Sequence, residues 1–129
     1  RVKTIKLGEN MINIIASTAL LYLVQLLLPI FLKTGSEQAE RASKAVNNLG
    51  ESLPVFFTLA VLSVVLGVDE NISIALSWLI ARLLFVAIYI SGIGRQEKQV
   101  DSGYEPQIIR SLIWFVSIGL LIWMTINLI

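Results

Sequence analysis

The 129-residue chain contains neither cysteine nor histidine. Those two absences exclude disulfides, zinc sites built from Cys and His, Cys or His nucleophiles, and imidazole acid–base chemistry. Charge is scarce as well. Charged residues make up 15% of the sequence, against about 25% in soluble domains. Ten Lys and Arg nearly cancel nine Asp and Glu, leaving a net charge of +1. No basic surplus remains for nucleic acid, which is excluded as a partner. Any chemistry must come from Arg, Lys, Tyr, Glu, Asn or Ser, or arrive with a ligand.

What the chain does have is apolar length. It is 56% hydrophobic with a mean hydropathy of +0.79, too apolar for water and of a size that suits one domain. Four apolar segments, at about Met11–Leu32, Glu37–Val68, Ile72–Ile93 and Ile108–Ile129, approach the roughly 20 residues a membrane-spanning helix needs. Residues 1–129 thus read as a single all-α domain, an integral membrane four-helix bundle. The first segment is too long for a signal-peptide core and lacks a small-residue cleavage site, so it reads as a retained span. The first three turns of the second are polar and project from the bilayer, and Pro54 stands where its polar and apolar parts meet. Trp78, Trp114 and Trp123 are either interfacial anchors or packing residues.

The connections carry the turn chemistry. Lys33–Ser36 contains Gly35, and Ser36 is positioned to cap the second helix. Gly67–Asn71 is a tight acidic turn with Asn71 or Ser73 available as a cap, whereas Gly94–Gln107 is longer and charged. Lys33, Arg41, Lys44, Arg95, Lys98 and Arg110 flank the first and third connections, whereas Arg1, Lys3 and Lys6 flank the other side. The basic bias places the first and third connections in the cytoplasm and both termini outside.

A charged stripe marks that cytoplasmic end. At 100° per residue, Arg41, Lys44, Asn48 and Glu51 fall within about 80° of one helical face. The third segment places Arg82, Phe85 and Tyr89 within about 60°. Arg82 lies near the middle of its apolar run, where a charge costs at least about 2.5–3.5 kcal/mol and must face other helices or a wet cavity. Arg110-Ser111 opens the fourth segment. A cavity lined by these cations would draw an anion. Arg forks suit carboxylates, and an Arg beside a thiol stabilises the thiolate. A ligand bearing both groups would supply the nucleophile the chain lacks. Each residue also has a plainer reading. Arg41 and Lys44 could be snorkelling interfacial cations, and Glu51 could neutralise Lys44. Arg82 could be a charge paired within the bundle, Tyr89 a packing residue and Arg110 a helix-flanking anchor.

The pattern Arg41-x-x-Lys-Ala-x-x-Asn48-x-x-Glu51-x-x-Pro54-x-Phe56 resembles the signature of the MAPEG family, the membrane-associated proteins in eicosanoid and glutathione metabolism. Ala81-Arg82-Leu83 with Tyr89, and then Arg110-Ser111 before the last apolar run, extend the likeness over nearly the whole chain. The resemblance implies a homotrimer of four-helix subunits with glutathione, as co-substrate, bound between adjacent subunits near the cytoplasmic helix ends. Arg41, Lys44, Asn48 and Glu51 would bind it, with Arg82 and Tyr89 lining the same site. Arg110 would stabilise the thiolate as it attacks a lipophilic electrophile or reduces a hydroperoxide, which makes Arg110 the catalytic candidate. Lys44 stands where many members have Arg, and Ser52 and Phe85 where eicosanoid-forming members often have Tyr. The long loop also brings Arg95 as a rival for the thiolate. These departures point to a bacterial-type member in an inner membrane.

The expected activity is therefore that of a membrane glutathione transferase or peroxidase, with membrane lipid and a lipophilic small molecule as partners and no metal. Two alternatives stand beside it. One is a non-catalytic protein of the same fold that binds lipid or a partner. The other is a small four-helix drug exporter, disfavoured because Glu9 falls outside the first apolar segment and leaves it without a carboxylate.

Overall fold

The computed structural model describes residues 2–33, 35–93 and 107–129, with side chains from Glu9 onward. Four α-helices follow one another: α1 (Val2–Phe31), α2 (Glu37–Leu66), α3 (Glu70–Ser91) and α4 (Ile108–Leu128). No strand occurs among the described residues. All four helices are long and apolar enough to cross a membrane.

The apolar segments locate the helices and miss some of their ends. α1 begins nine residues before Met11, because Val2–Asn10 lacks an apolar run but contains no proline to stop a helix. Glu9 therefore lies inside α1, on its exposed side, which corrects its placement outside the helix. The carboxylate still sits on the polar extension rather than deep in the span.

α2 starts and stops as its sequence dictates. Ser36 Oγ accepts a hydrogen bond from the Ala39 N–H at 3.2 Å, and Glu37 and Glu40 in the first turn complement the helix dipole. At the other end Gly67 adopts φ +69°. The Gly67 N–H then reaches the Val64 carbonyl at 3.2 Å and the Val68 N–H reaches that of Ser63 at 2.9 Å, a paired closure that requires the left-handed residue. Thirty residues extend about 45 Å at 1.5 Å each. That exceeds a hydrocarbon core of about 30 Å, so the polar first turns of α2 have length to stand outside it.

The expected capping of α3 by Asn71 or Ser73 is corrected. Asp69 occupies the N-cap position but its side chain makes no capping hydrogen bond, and Ser73 Oγ donates to the Glu70 carbonyl. Asn71 is fully buried. Its Nδ2 donates to Ser63 Oγ at 2.8 Å and to the Met124 carbonyl at 3.1 Å, and its Oδ1 accepts from Asn127 Nδ2 at 2.9 Å. One amide thus ties α2, α3 and α4 together at the end of the bundle away from the charged stripe. Burial of a polar amide is tolerable because both its functional groups are satisfied.

Between the two ends the helices run antiparallel. Arg41 meets Ile90, Asn48 meets Arg82, Phe56 meets Trp78 and Ser63 meets Asn71, a descending register along α2 and α3. Phe56 and Trp78 stack with centroids 4.1 Å apart and planes 10° from parallel. Met11, Leu49, Leu53, Leu121 and Met124 close the core around them. Trp78 is thus a packing residue, whereas Trp123 is 56% exposed. Large apolar side chains also cover the outside: Ile30, Phe31 and Val65 are each more than 70% exposed. A surface of this kind suits lipid or further protein rather than water.

Candidate functional site

Within the 80° stripe on α2, the two edges face different surroundings. Arg41 and Asn48 lie about 20° apart on the inner edge, whereas Lys44 and Glu51 lie about 20° apart on the outer one. Arg41 is buried, with Nη2 3.1 Å from Glu37 Oε2 and Nη1 3.5 Å from the Ile90 carbonyl near the end of α3. It is therefore not a cation snorkelling to solvent. Half-exposed Lys44 pairs with Glu40 at 3.1 Å, which corrects the pairing with Glu51; Glu40 lies one turn away, Glu51 two. Glu51 is exposed and carries no hydrogen bond or ion pair among the described residues.

Asn48 is the hinge between α2 and α3. Its Oδ1 accepts from Arg82 Nη2 at 2.9 Å. Arg82 is 2% exposed, and its Nε has no partner. The Arg82 guanidinium also lies 4.3 Å from the centroid of Phe85, whose ring meets Tyr89 edge-on at 5.5 Å. Tyr89 in turn lies under the Arg110 guanidinium at 4.4 Å. The two arginines therefore grip the Phe85–Tyr89 pair from its two ends, an arrangement favoured by the negative faces of the rings. Phe85 brings no hydroxyl to this position; its ring carries the contact with the Arg82 guanidinium.

Asn48, Phe85, Tyr89, Arg110, Ser111 and Trp114 line a cavity of about 320 Å³. A second groove of about 280 Å³ adjoins it, sharing Asn48 and Trp114. This groove continues between α2 and α4 past Glu51, Ser52, Val55, Ile118 and Ile122. The first space presents the Arg110 cation with Asn48, Ser111 and aromatic rings, whereas the groove presents Val55, Ile118, Leu121 and Ile122, with Glu51, Ser52 and Thr125 as its polar members. An anionic, carboxylate-bearing ligand suits the first environment and an apolar chain the second.

Of the residues singled out in the sequence, Asn48, Tyr89 and Arg110 line the cavity, Arg82 reaches it through Asn48, and Glu51 lines the adjoining groove. Arg41 and Lys44 line neither space. Arg95 lies outside the described residues. Two contributors were not anticipated. Trp114 forms the wall common to both spaces, although its sequence position suggested only an anchor or packing. Gln107, 3% exposed, donates from Nε2 to the carbonyls of Ile88 at 2.8 Å and Ile93 at 2.7 Å. The only hint of Gln107 was an amide one turn before Arg110.

Among known proteins, the family model of the MAPEG family matches residues 14–129, which include every one of these site residues. No curated protein and no solved structure matches the chain.

Proposed function

The chain belongs to the MAPEG family, and from that premise we propose that it binds glutathione at the polar end of the groove and adds the thiolate to a lipophilic electrophile held along the apolar end. It is a multi-pass helical membrane protein of a family linked to eicosanoid and glutathione metabolism. The observation that carries the finer reading is the continuity of the two spaces through Asn48 and Trp114. Few single sites offer cationic and aliphatic walls within one reach, and a thiol peptide reacting with an apolar partner uses both.

The chemistry follows from the side chains. Arg110, buried against Tyr89, is the cation placed to stabilise a thiolate; an opposite charge within about 4–6 Å lowers an ionisable group's pKa by one to three units. The thiol proton leaves to water at the mouth of the cavity. The sulfur lone pair then forms a bond to the electrophilic carbon, and the displaced electron pair departs with the leaving group or is protonated by water. With a hydroperoxide, two thiols would give a disulfide, an alcohol and water. Asn48, held by Arg82, is placed to bond the peptide part of the ligand, and Glu51 to accept from its ammonium group. Half-exposed Lys44 would meet the ligand from the outer edge of α2, where the family's homotrimer would bring a neighbouring subunit, whereas buried Arg41 would act from inside by holding the end of α3. The basic flanks of this end favour a cytoplasmic, glutathione-containing side.

The test is conjugation of glutathione to a chromogenic aryl halide by the purified protein in detergent, wild type against Arg110→Ala. Thiol-dependent turnover in the wild type that falls at least tenfold in the variant supports the reading. A second reading, a non-catalytic lipid binder on the same scaffold, draws on Phe85, which brings no hydroxyl to the cavity wall it forms. Absence of thiol-dependent turnover in both proteins would favour it.

A further inference from the structure

Gln107 stands one turn before Arg110 and is 3% exposed, yet it takes no part in the lining of either space. Its backbone carbonyl accepts from the Ser111 N–H at 3.0 Å, the first hydrogen bond of α4. Its side chain points the other way, with Nε2 donating to carbonyls on either side of Gly92, where α3 turns left-handed at φ +71°. One residue therefore belongs to the start of α4 and to the end of α3 together. The Ile88 carbonyl also accepts from the Gly92 N–H at 3.0 Å and from Ser91 Oγ at 3.0 Å, whereas the bond to Ile93 lies beyond the end of α3. Breaking both Gln107 bonds would leave its buried amide with unsatisfied donors, which is costly.

The consequence falls on Arg110. The first turn of a helix frays when nothing ties it down, and Arg110 sits in that turn. Its guanidinium lies 4.4 Å from the Tyr89 centroid, and Tyr89 adjoins Ile88, one of the carbonyls that Gln107 engages. The clasp thus ties the first turn of α4, which carries Arg110, to the end of α3 beside Tyr89. We propose that Gln107 is a positioning residue, which by clasping the end of α3 fixes where Arg110 stands over Tyr89 at the polar end of the groove. Its effect on a ligand rests on the reading of that end as a thiol-peptide site; its effect on Arg110 does not.

The full chain in detergent micelles, labelled with ¹⁵N-arginine, separates the two. The Arg110 Nε–Hε signal, assigned by its loss in Arg110→Ala, should be displaced by the ring current of Tyr89, 4.4 Å from the guanidinium. Gln107→Met keeps the volume and removes both donors, so the displacement should shrink by more than half. Gln107→Lys, which restores a donor, should recover it, and Gln107→Glu, which carries charge without a donor, should not. An Arg110 signal unmoved in both Gln107→Met and Gln107→Glu overturns the proposal, and if Gln107→Met does not fold, the Lys and Glu variants decide it alone. Glutathione titrations add a cycle. Gln107→Met should weaken binding about tenfold in the wild type and less than twofold in Arg110→Ala; equal losses in both backgrounds would show that Gln107 acts without Arg110. Should the wild type bind no glutathione, the thiol-site reading falls, while the arginine signal still decides the clasp.

Discussion

Arg82 Nη2 donates to Asn48 Oδ1 across 2.9 Å, and this bond couples a buried charge on α3 to the one amide that lines both spaces of the groove. An isolated charge at this depth would be costly, and the Arg82 guanidinium is stabilised by that oxygen together with the face of Phe85. Asn48 thus has two roles, one in the fold and one at the site.

The two roles separate by substitution. Asn48→Ala leaves Arg82 without its acceptor and should lower stability by about 2 kcal/mol, the usual scale for a hydrogen bond to a charged group. Asn48→Asp keeps an acceptor, so its melting temperature in detergent should stay within a few degrees of wild type. Its added negative charge should still weaken an anionic ligand at least tenfold. Thermal unfolding and ligand titration on the two variants check the pair.

Removal of Arg110 should act through pH. If the proposed site holds a thiol beside this cation, its pKa is lowered, so the thiolate and the rate should rise with pH through a midpoint lower than that of free thiol. Arg110→Ala should move the midpoint of the pH–rate profile upward by about one unit or more, with the deficit largest near neutrality and shrinking in alkali. Arg110→Lys should recover only part of the loss, because an ammonium cannot reproduce the contact of the guanidinium with the Tyr89 ring.

The opposite end of the bundle should matter only for stability. Asn71→Leu removes bonds to Ser63, Met124 and Asn127, leaving the Ser63 hydroxyl with its bond to the Leu59 carbonyl alone and the Asn127 amide without this acceptor. A loss of about 2–3 kcal/mol is expected from unsatisfied buried groups, measured by chemical unfolding in mixed micelles. Glutathione affinity of the folded fraction should not change.

Filling the aliphatic groove should discriminate between the two substrates. Ile118→Trp places an indole in the space shared with Val55 and Ile122. The KM for an apolar electrophile should rise about tenfold, whereas the glutathione dissociation constant should remain within twofold. Steady-state kinetics with each substrate varied in turn reads both.

The helices were legible because each apolar run was long enough to have one meaning, and Ser36 and Gly67 stood where caps belong. The start of α1 was hidden because Val2–Asn10 is helical without being apolar. Helical spacing found the α2 stripe but could not say which edge faced α3. Position alone put Arg41 and Lys44 in one class, although only Arg41 is buried against a neighbouring helix. Asn71 looked like a cap because it follows a turn; its burial depends on Ser63 and Asn127, 8 and 56 residues away. Gln107 offered only an amide before Arg110 and Trp114 only an aromatic in an apolar run, since their partners come from the fold.

Calorimetric titration of the purified protein in detergent with glutathione, on wild type and Asn48→Asp, tests most directly whether the polar end of the groove holds an anionic thiol peptide. Saturable heat is expected for the wild type, with a loss of at least tenfold in affinity for an equally stable Asn48→Asp. Absence of binding to the wild type, or equal affinity in both proteins, would contradict the reading of that end as a thiol-peptide site.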